Sequence, residues 1–357
     1  MNGTVRPAGH PMGRHRLPLR APSRRWLLSA LAGMVALAGA AAAALTLTPG
    51  AGPSAPGVTG PARHGGNPLA GVRLYVDPDS QAAQAAAAAA HSDPAAAALL
   101  REIAREPAGL WVGSWFPVAT VARTVHAAVR AAAAVGTEPL LVLYAFPLTG
   151  CGRGTGAGAA YERWVGQVAA GIGTGAAVVV IEPDALAQDV LLSCLTPAQQ
   201  RYRLALIRSA VEQLARRPGT TVYLDAGNSR WKPPGAMAPL LTAAGIGLAR
   251  GFALNVSNFN STAEEESYGD RLSALLHGKH FVVDTSRNGR ATAATWCNPP
   301  GQALGRPPTT VTGDRRADAL LWVKAPGSSD GTCNGGPPPG IFWPSYATTL
   351  AANAHRT

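Results

Sequence analysis

The sequence predicts an α/β fold: a parallel sheet wrapped by helices and curled into a β/α barrel of seven or eight units. Three observations predict it. From about residue 70 onward, short valine- and leucine-rich runs alternate with alanine-rich helical stretches. The runs are apolar at nearly every residue, so both faces of each strand are buried, as in a parallel sheet covered by helices. The units follow one another in one block, and single barrels run to about 250 residues.

Taken in order, strands are predicted at 72–76, 110–112, 140–145, 178–181, 221–224, 251–255, 280–283 and 320–323. Helices are predicted between them at 80–90, 94–105, 118–134, 159–171, 197–216, 234–243 and 262–276. Asp93-Pro94 and Thr196-Pro197 each pair a capping residue with a proline suited to the first helical turn. The poly-alanine run at 85–90 needs no explanation beyond alanine's helix propensity.

The front of the chain is built differently. Residues 1–25 hold Arg6, Arg14, Arg16, Arg20, Arg24 and Arg25, with no lysine and no acid. An uncharged apolar run follows at 26–48, then a Pro/Gly/Ala-rich stretch. That is the layout of an export signal, and Ser23-Arg-Arg-Trp-Leu-Leu28 resembles its twin-arginine form. The apolar run is also nearly long enough to span a bilayer, so a retained anchor is the alternative. The expected organisation is a signal or anchor at 1–48, a linker at 49–70 and one catalytic domain at 71–357. Export puts the domain outside the cell, with membrane contact only through an uncleaved front segment.

The formal charge of +11 follows largely from that front. Seven of the 31 basic residues, Arg63 among them, precede residue 66, where there are no acids; the remainder carries 24 basic and 20 acidic residues. No basic element of a nucleic-acid footprint is present, so no nucleic-acid partner is expected. Cys151, Cys194, Cys297 and Cys333 make an even set, read as two disulfides with three possible pairings. They lack zinc-site spacing, and no metal or other cofactor is expected.

Several predicted strands end on a polar group: Asp77, Asp184, Asp225, Asn255 to Asn258, Asp284, and Lys324 to Asp330. In a barrel all of these sit on one rim, where such folds place their chemistry. The most pointed case is Ala176-Ala-Val-Val-Val-Ile-Glu-Pro-Asp184, a buried strand stopped by Glu-Pro-Asp. A carboxyl there can hold its proton near neutral pH and donate it; the plainer reading of Asp184 is a helix N-cap. A rim of several acids suggests paired-carboxyl hydrolysis of a glycosidic bond. Trp111, Trp115, Trp231, Trp296 and Trp322 fall at strand ends or in the following loops, where their faces suit a sugar ring. Core packing is the competing reading and is favoured for Trp164 and Trp322.

Two other motifs fail on context. Gly327-Ser-Ser-Asp-Gly331 matches a nucleophile elbow around Ser329, but a Gly/Pro-rich stretch follows instead of a helix, no later acid is there, and the only later histidine is His355, near the terminus. The glycines at 152–158 lack the dinucleotide-loop spacing and read as a surface loop tied down by Cys151.

Together the motifs resemble glycoside hydrolase family 6, the β-1,4-glucan hydrolases. The resemblance runs in order through Tyr75-Val-Asp-Pro-Asp-Ser80, Leu143-Tyr-Ala-Phe-Pro147, Val180-Ile-Glu-Pro-Asp-Ala-Leu-Ala-Gln188 and Tyr223-Leu-Asp-Ala-Gly-Asn228. It continues through Ala253-Leu-Asn-Val-Ser-Asn-Phe259, Val283-Asp-Thr-Ser-Arg-Asn-Gly289, Trp296-Cys-Asn-Pro299 and Trp322-Val-Lys324 to Asp330-Gly331. It implies a distorted, partly open barrel, disulfides Cys151–Cys194 and Cys297–Cys333, and an inverting reaction. It implies Asp184 as general acid, Asp330 as the base, directly or through water, and Tyr144 beside the reacting ring. Asp225 and Lys324 become sugar-binding or charge-setting groups, Trp111, Trp231 and Trp296 stacking platforms, and Asn258 a substrate contact.

Two positions depart from the family pattern. Gly150 stands where the family has an Asp that helps the acid hold its proton, and Ser328 stands where a Glu is common. The expectation is therefore a secreted, monomeric endo-β-1,4-glucanase of reduced activity. The alternatives are a glucan-binding protein that has lost turnover and a chain-end cellobiohydrolase. The short span between Cys297 and Cys333 favours an open cleft over a roofed one.

Overall fold

The computed structural model describes residues 66–151, 156–291 and 295–356. The predicted signal or anchor, and the linker before residue 66, lie outside the described residues.

Seven strands form one sheet in chain order: β1 (Leu110–Gly113), β2 (Leu140–Tyr144), β3 (Ala177–Ile181), β4 (Thr220–Asp225), β5 (Gly251–Leu254), β6 (His280–Asp284) and β7 (Ala317–Leu321). Every neighbouring pair is parallel. The helices are α1 (Gln81–Ala89), α2 (Pro94–Ala104), α3 (Val118–Ala134), α4 (Ala157–Ile172), α5 (Pro197–Ala215), α6 (Pro234–Ala243), α7 (Thr262–Leu275) and α8 (Pro344–Ala354). The result is a curled half-barrel with helices around it.

Strand periodicity sorts the core into two layers. Val142, Val178, Val180, Tyr223, Ala253, Val282 and Ala319 pack inside the curl. Their alternates, including Leu141, Leu143, Val179, Ile181, Leu224 and Phe252, pack outward against the helices. Trp164 is buried in that outer layer, and Trp322 joins α1, α2 and α8 in a third cluster, so both tryptophans read as core are core. The two disulfides pair Cys151 with Cys194 and Cys297 with Cys333, as the resemblance implies.

Two predicted elements change and one is new. The strand at 72–76 shrinks to a single bridge, Leu74 to Glu138; beyond it the same edge of β2 is taken by β1, whose Leu110 pairs with Leu141. The last strand comes earlier, at Ala317–Leu321 rather than 320–323. A charged residue argues against a buried strand, but Asp318 is accommodated because Arg250 donates to it twice (2.8 Å each) and Tyr223 once (2.7 Å). Helix α8 was not predicted.

The two edges of the sheet, β1 and β7, share no ladder. They meet in a short seam, where the Gly109 N–H donates to the Trp322 carbonyl (2.9 Å) and the Trp111 indole to the Val323 carbonyl (2.9 Å).

Candidate active site

The parallel order puts all strand C-termini on one rim. On β7's exit loop, Asp330 is held by three donors: Arg287 Nη1 at 2.7 Å, Lys324 Nζ at 3.3 Å and the Asn298 N–H at 3.1 Å. Burial alone would raise its carboxyl, but the charges of Arg287 and Lys324 overcome burial and hold it below the usual range. Arg287 is fully buried, stacks 4.3 Å over Phe259 and also donates to the Ser257 carbonyl. Lys324 is shifted down, first by burial and then by Arg287. Its ammonium lies 5.4 Å from the Trp111 ring, which in turn meets Tyr144 edge-on at 5.3 Å. Asp330, Lys324, Trp111 and Tyr144 thus form one continuous run from β7 through β1 to β2.

At β3 the sequence Glu182-Pro-Asp184 leaves the strand with φ of 49° at Glu182 and 74° at Asp184. Those left-handed conformations are uncommon for residues with side chains and cluster at functional sites. A short π-helical turn at Ala185–Asp189 follows, and Asp184 makes no side-chain cap bond to it. The N-cap reading of Asp184 is therefore overturned: with φ positive, its side chain does not turn back over the helical turn. Its N–H instead donates to Asp225 Oδ2 (3.0 Å).

Asp225 is buried at the end of β4, taking a second bond from the Gly227 N–H (3.0 Å). Burial and then the charge of Asp184 push its carboxyl well above the usual range. Its Oδ1 is buried with no hydrogen-bond partner among the described residues, which suits a neutral acid better than a carboxylate. Of the two roles the resemblance gives Asp225, its burial fits charge-setting.

Glu182, given no role from the sequence, is buried at the root of the same turn. It accepts from the N–H groups of Ala145 (2.8 Å) and Phe146 (2.9 Å) and from the Tyr161 hydroxyl (3.1 Å). Burial raises its carboxyl to about 7 despite those donors. Asp284, at the end of β6, is likewise buried and staples the N–H groups of Ser257, Ser286 and Lys324 (2.9–3.0 Å).

Trp296 stands 61% exposed and Tyr144 40% exposed on this rim. Trp231 is half-buried and packs against the core, although the sequence put it on an open loop. Asn258 is half-buried and its amide donates to the Val256 carbonyl (2.9 Å). Gly150 is exposed with φ +59°, and a Cβ there would meet nothing within 4 Å. Its carbonyl accepts from buried Arg203 (2.8 Å). Ser328 pairs with Phe342 in a single bridge. Ser329 is fully buried and donates into the carbonyls of Gly331 and Pro337, a structural serine with no access to substrate. Sequence reasoning missed Arg287 as the partner of Asp330; its position just after an apolar strand, on the rim, was the available signal.

Fold and rim define a β/α barrel hydrolase with carboxyl groups in contrasting environments. The profile described as Glycosyl hydrolases family 6 matches residues 69–354. Endoglucanase A of Cellulomonas fimi is 43% identical over 284 residues, which are 79% of this chain and 61% of that protein. Endoglucanase 1 of Streptomyces halstedii is 41% identical over 77% of this chain and 87% of its own length. The endoglucanase Cel6 of Mycobacterium tuberculosis, solved with methyl-cellobiosyl-4-deoxy-4-thio-β-D-cellobioside, superposes with a TM-score of 0.75. It is 47% identical and covers 81% of this chain and 99% of that one. The chain belongs to glycosyl hydrolases family 6.

Proposed function

We propose that the protein is an exported endo-β-1,4-glucanase that cleaves with inversion. The observation carrying this reading is the contrast on one rim. Asp330 is kept ionised by Arg287 and Lys324, while burial and the charge of Asp184 push Asp225 toward its neutral form, so the adjacent Asp184–Asp225 pair keeps a proton that Asp184 can deliver. Environments that separate paired carboxyls into proton acceptor and proton donor are the basis of acid–base glycoside cleavage. In the proposed reaction Asp184 protonates the leaving glycosidic oxygen. Water attacks the anomeric carbon from the opposite face, and its proton passes to Asp330. Trp111, Trp231 and Trp296 stack on glucosyl rings, Tyr144 lies beside the reacting one, and Asn258 and Lys324 bind hydroxyls.

Asp184→Ala is expected to lower reducing-sugar release by about 10²–10⁴-fold; unchanged release removes Asp184 from the mechanism. Internal cutting predicts rapid viscosity loss of a soluble cellulose derivative per sugar released. A slow drop with abundant cellobiose would instead indicate chain-end action. N-terminal sequencing of the exported protein separates a cleaved signal from a retained anchor.

A second reading, glucan binding without turnover, is favoured by Gly150, which offers no carboxyl where the family has one. The open space around its Cβ position admits Gly150→Asp, although the positive φ there strains any side chain. Rescue of activity by that variant would show that the missing carboxyl limits the enzyme. Tight cello-oligosaccharide binding by the natural chain, with no product after long incubation, would support the binder.

A further inference from the structure

The end of the barrel opposite the cleft has a composition of its own. The loops that feed the strand N-termini carry Arg105, Arg216, Arg217, Lys279, Arg315 and Arg316. The acids in the same loops are Glu106, Glu138 and Asp314; all three are half-buried, and Asp314 is bound to the Arg316 N–H (2.6 Å). Cations at helix C-termini are expected from the helix dipole, and that explains Arg105 and Arg216. It does not explain Arg315 and Arg316, which follow no helix.

Exposed aliphatic side chains sit among these cations. Val135, Leu248, Leu275 and Val311 are 51–75% exposed and all lie at this end; the cleft end exposes Trp115, Tyr144 and Trp296 together with Val118, Leu191 and Ile341. The loops are also fixed in place. Lys279 Nζ donates to the carbonyls of Gly247 and Ala249 (2.9 and 2.7 Å), clamping the turn that presents Leu248, and Arg316 donates to the Gly278 carbonyl (2.9 Å).

We propose that this basic, aliphatic-studded face docks on an anionic lipid bilayer and points the cleft away from it. Cations favour the negative lipid surface while aliphatic side chains enter the boundary between headgroups and acyl chains. The chain itself favours a bilayer over an acidic protein as the occupant. Asn67 is fixed at this end, its amide donating to the Asp318 carbonyl (2.6 Å), so the polypeptide joins the folded unit here. Upstream of that point lie the uncharged apolar residues 26–48 and six arginines.

Hydrogen exchange on the full chain tests this, with vesicles of phosphatidylglycerol mixed into phosphatidylcholine set against pure phosphatidylcholine. The arginines of the front segment also favour the anionic vesicles, so the readout is slowed exchange at the face itself and its loss in Arg315→Glu, which leaves the front segment unaltered. The expected result is slowed exchange at 246–250 and 311–316 with the anionic vesicles alone. Each surface cation contributes about fivefold to such binding. Arg315→Glu, at an exposed position outside any helix, should therefore weaken docking by about fivefold or more, with an unchanged thermal midpoint. Equal exchange with both vesicles overturns the proposal. So does protection by soluble polyglutamate without protection by anionic vesicles, which would assign the face to an acidic protein.

Discussion

Asp330 and Glu182 show how one rim drives two carboxyls in opposite directions, and each makes a measurable prediction. Asp330 lies below its usual range because two cations outweigh its burial. If it accepts the proton from water, activity requires its ionised form, and the acidic limb of the pH–rate profile reports its titration. Arg287→Met removes the stronger partner, so that limb should move to higher pH. Losing one partner of a buried pair should also cost about 3–5 kcal/mol of stability. Arg287→Lys keeps a charge and should move the limb less, which separates electrostatics from misfolding. An unmoved limb in both variants would exclude Asp330 as the base. Glu182 is raised instead, to about 7 from 4.5. A raised carboxyl stabilises the fold fully below its unfolded value, and that contribution is lost as pH climbs through 7. The loss is about 3 kcal/mol across the window, at about 1.4 kcal/mol per unit. Glu182→Gln mimics the protonated group, so its stability relative to the natural protein should rise by about that amount between pH 4.5 and 7. Denaturant midpoints across pH would measure it; parallel curves would show that Glu182 does not titrate there.

At the scale of elements, the disulfides tie down what the strands leave loose. Cys297–Cys333 spans 36 residues and brackets Asn298, whose N–H binds Asp330 and whose amide binds the Gly331 carbonyl (2.7 Å). Closing a loop of that length is worth about 4 kcal/mol in the chain-entropy account. Replacing both cysteines by serine should cost a comparable amount and also reduce kcat, because Asp330 loses an anchored neighbour. The corresponding change at Cys151–Cys194 should act mainly on stability. Measuring Tm and kcat for both pairs distinguishes the two effects. These elements also mark how far the sequence is legible. Six of the seven strands fall within about two residues of their predicted ends, because a strand buried on both faces is written as an unbroken apolar run. β7 slipped because Asp318 breaks that run, and its compensation by Arg250 and Tyr223 comes from residues 68 and 95 positions away. The strand at 72–76 failed because pairing depends on a free edge, and β1 occupies that edge of β2 from Leu141 onward. The acids on the rim were legible as strand-ending polar groups. The pairing of Arg287 with Asp330 and the burial of Asp225 were not, since both depend on which loops meet across the barrel.

The whole molecule depends on a seam that no ladder closes. β1 and β7 are brought together at Gly109, where a Cβ would lie 2.3 Å from the Val323 carbonyl oxygen and 2.7 Å from Val142. Neither obstacle is the far end of a flexible side chain, so Gly109→Ala cannot be absorbed locally. It must push the edges apart, and overpacking of this kind costs about 1–3 kcal/mol. The same movement would separate the Trp111 indole from the Val323 carbonyl and from Lys324, one residue further on, and Lys324 holds Asp330. A lesion at the seam, on the side remote from Asp184, should therefore raise KM and lower kcat together with Tm. Gly235→Ala is the control: it lies in α6 with nothing within 4 Å of its Cβ position, and it should be neutral or stabilising by up to about 1 kcal/mol. If Gly109→Ala loses Tm while its kinetics match those of the natural chain, the seam is structural only. The run from β7 through Trp111 to Tyr144 would then not be what positions the base.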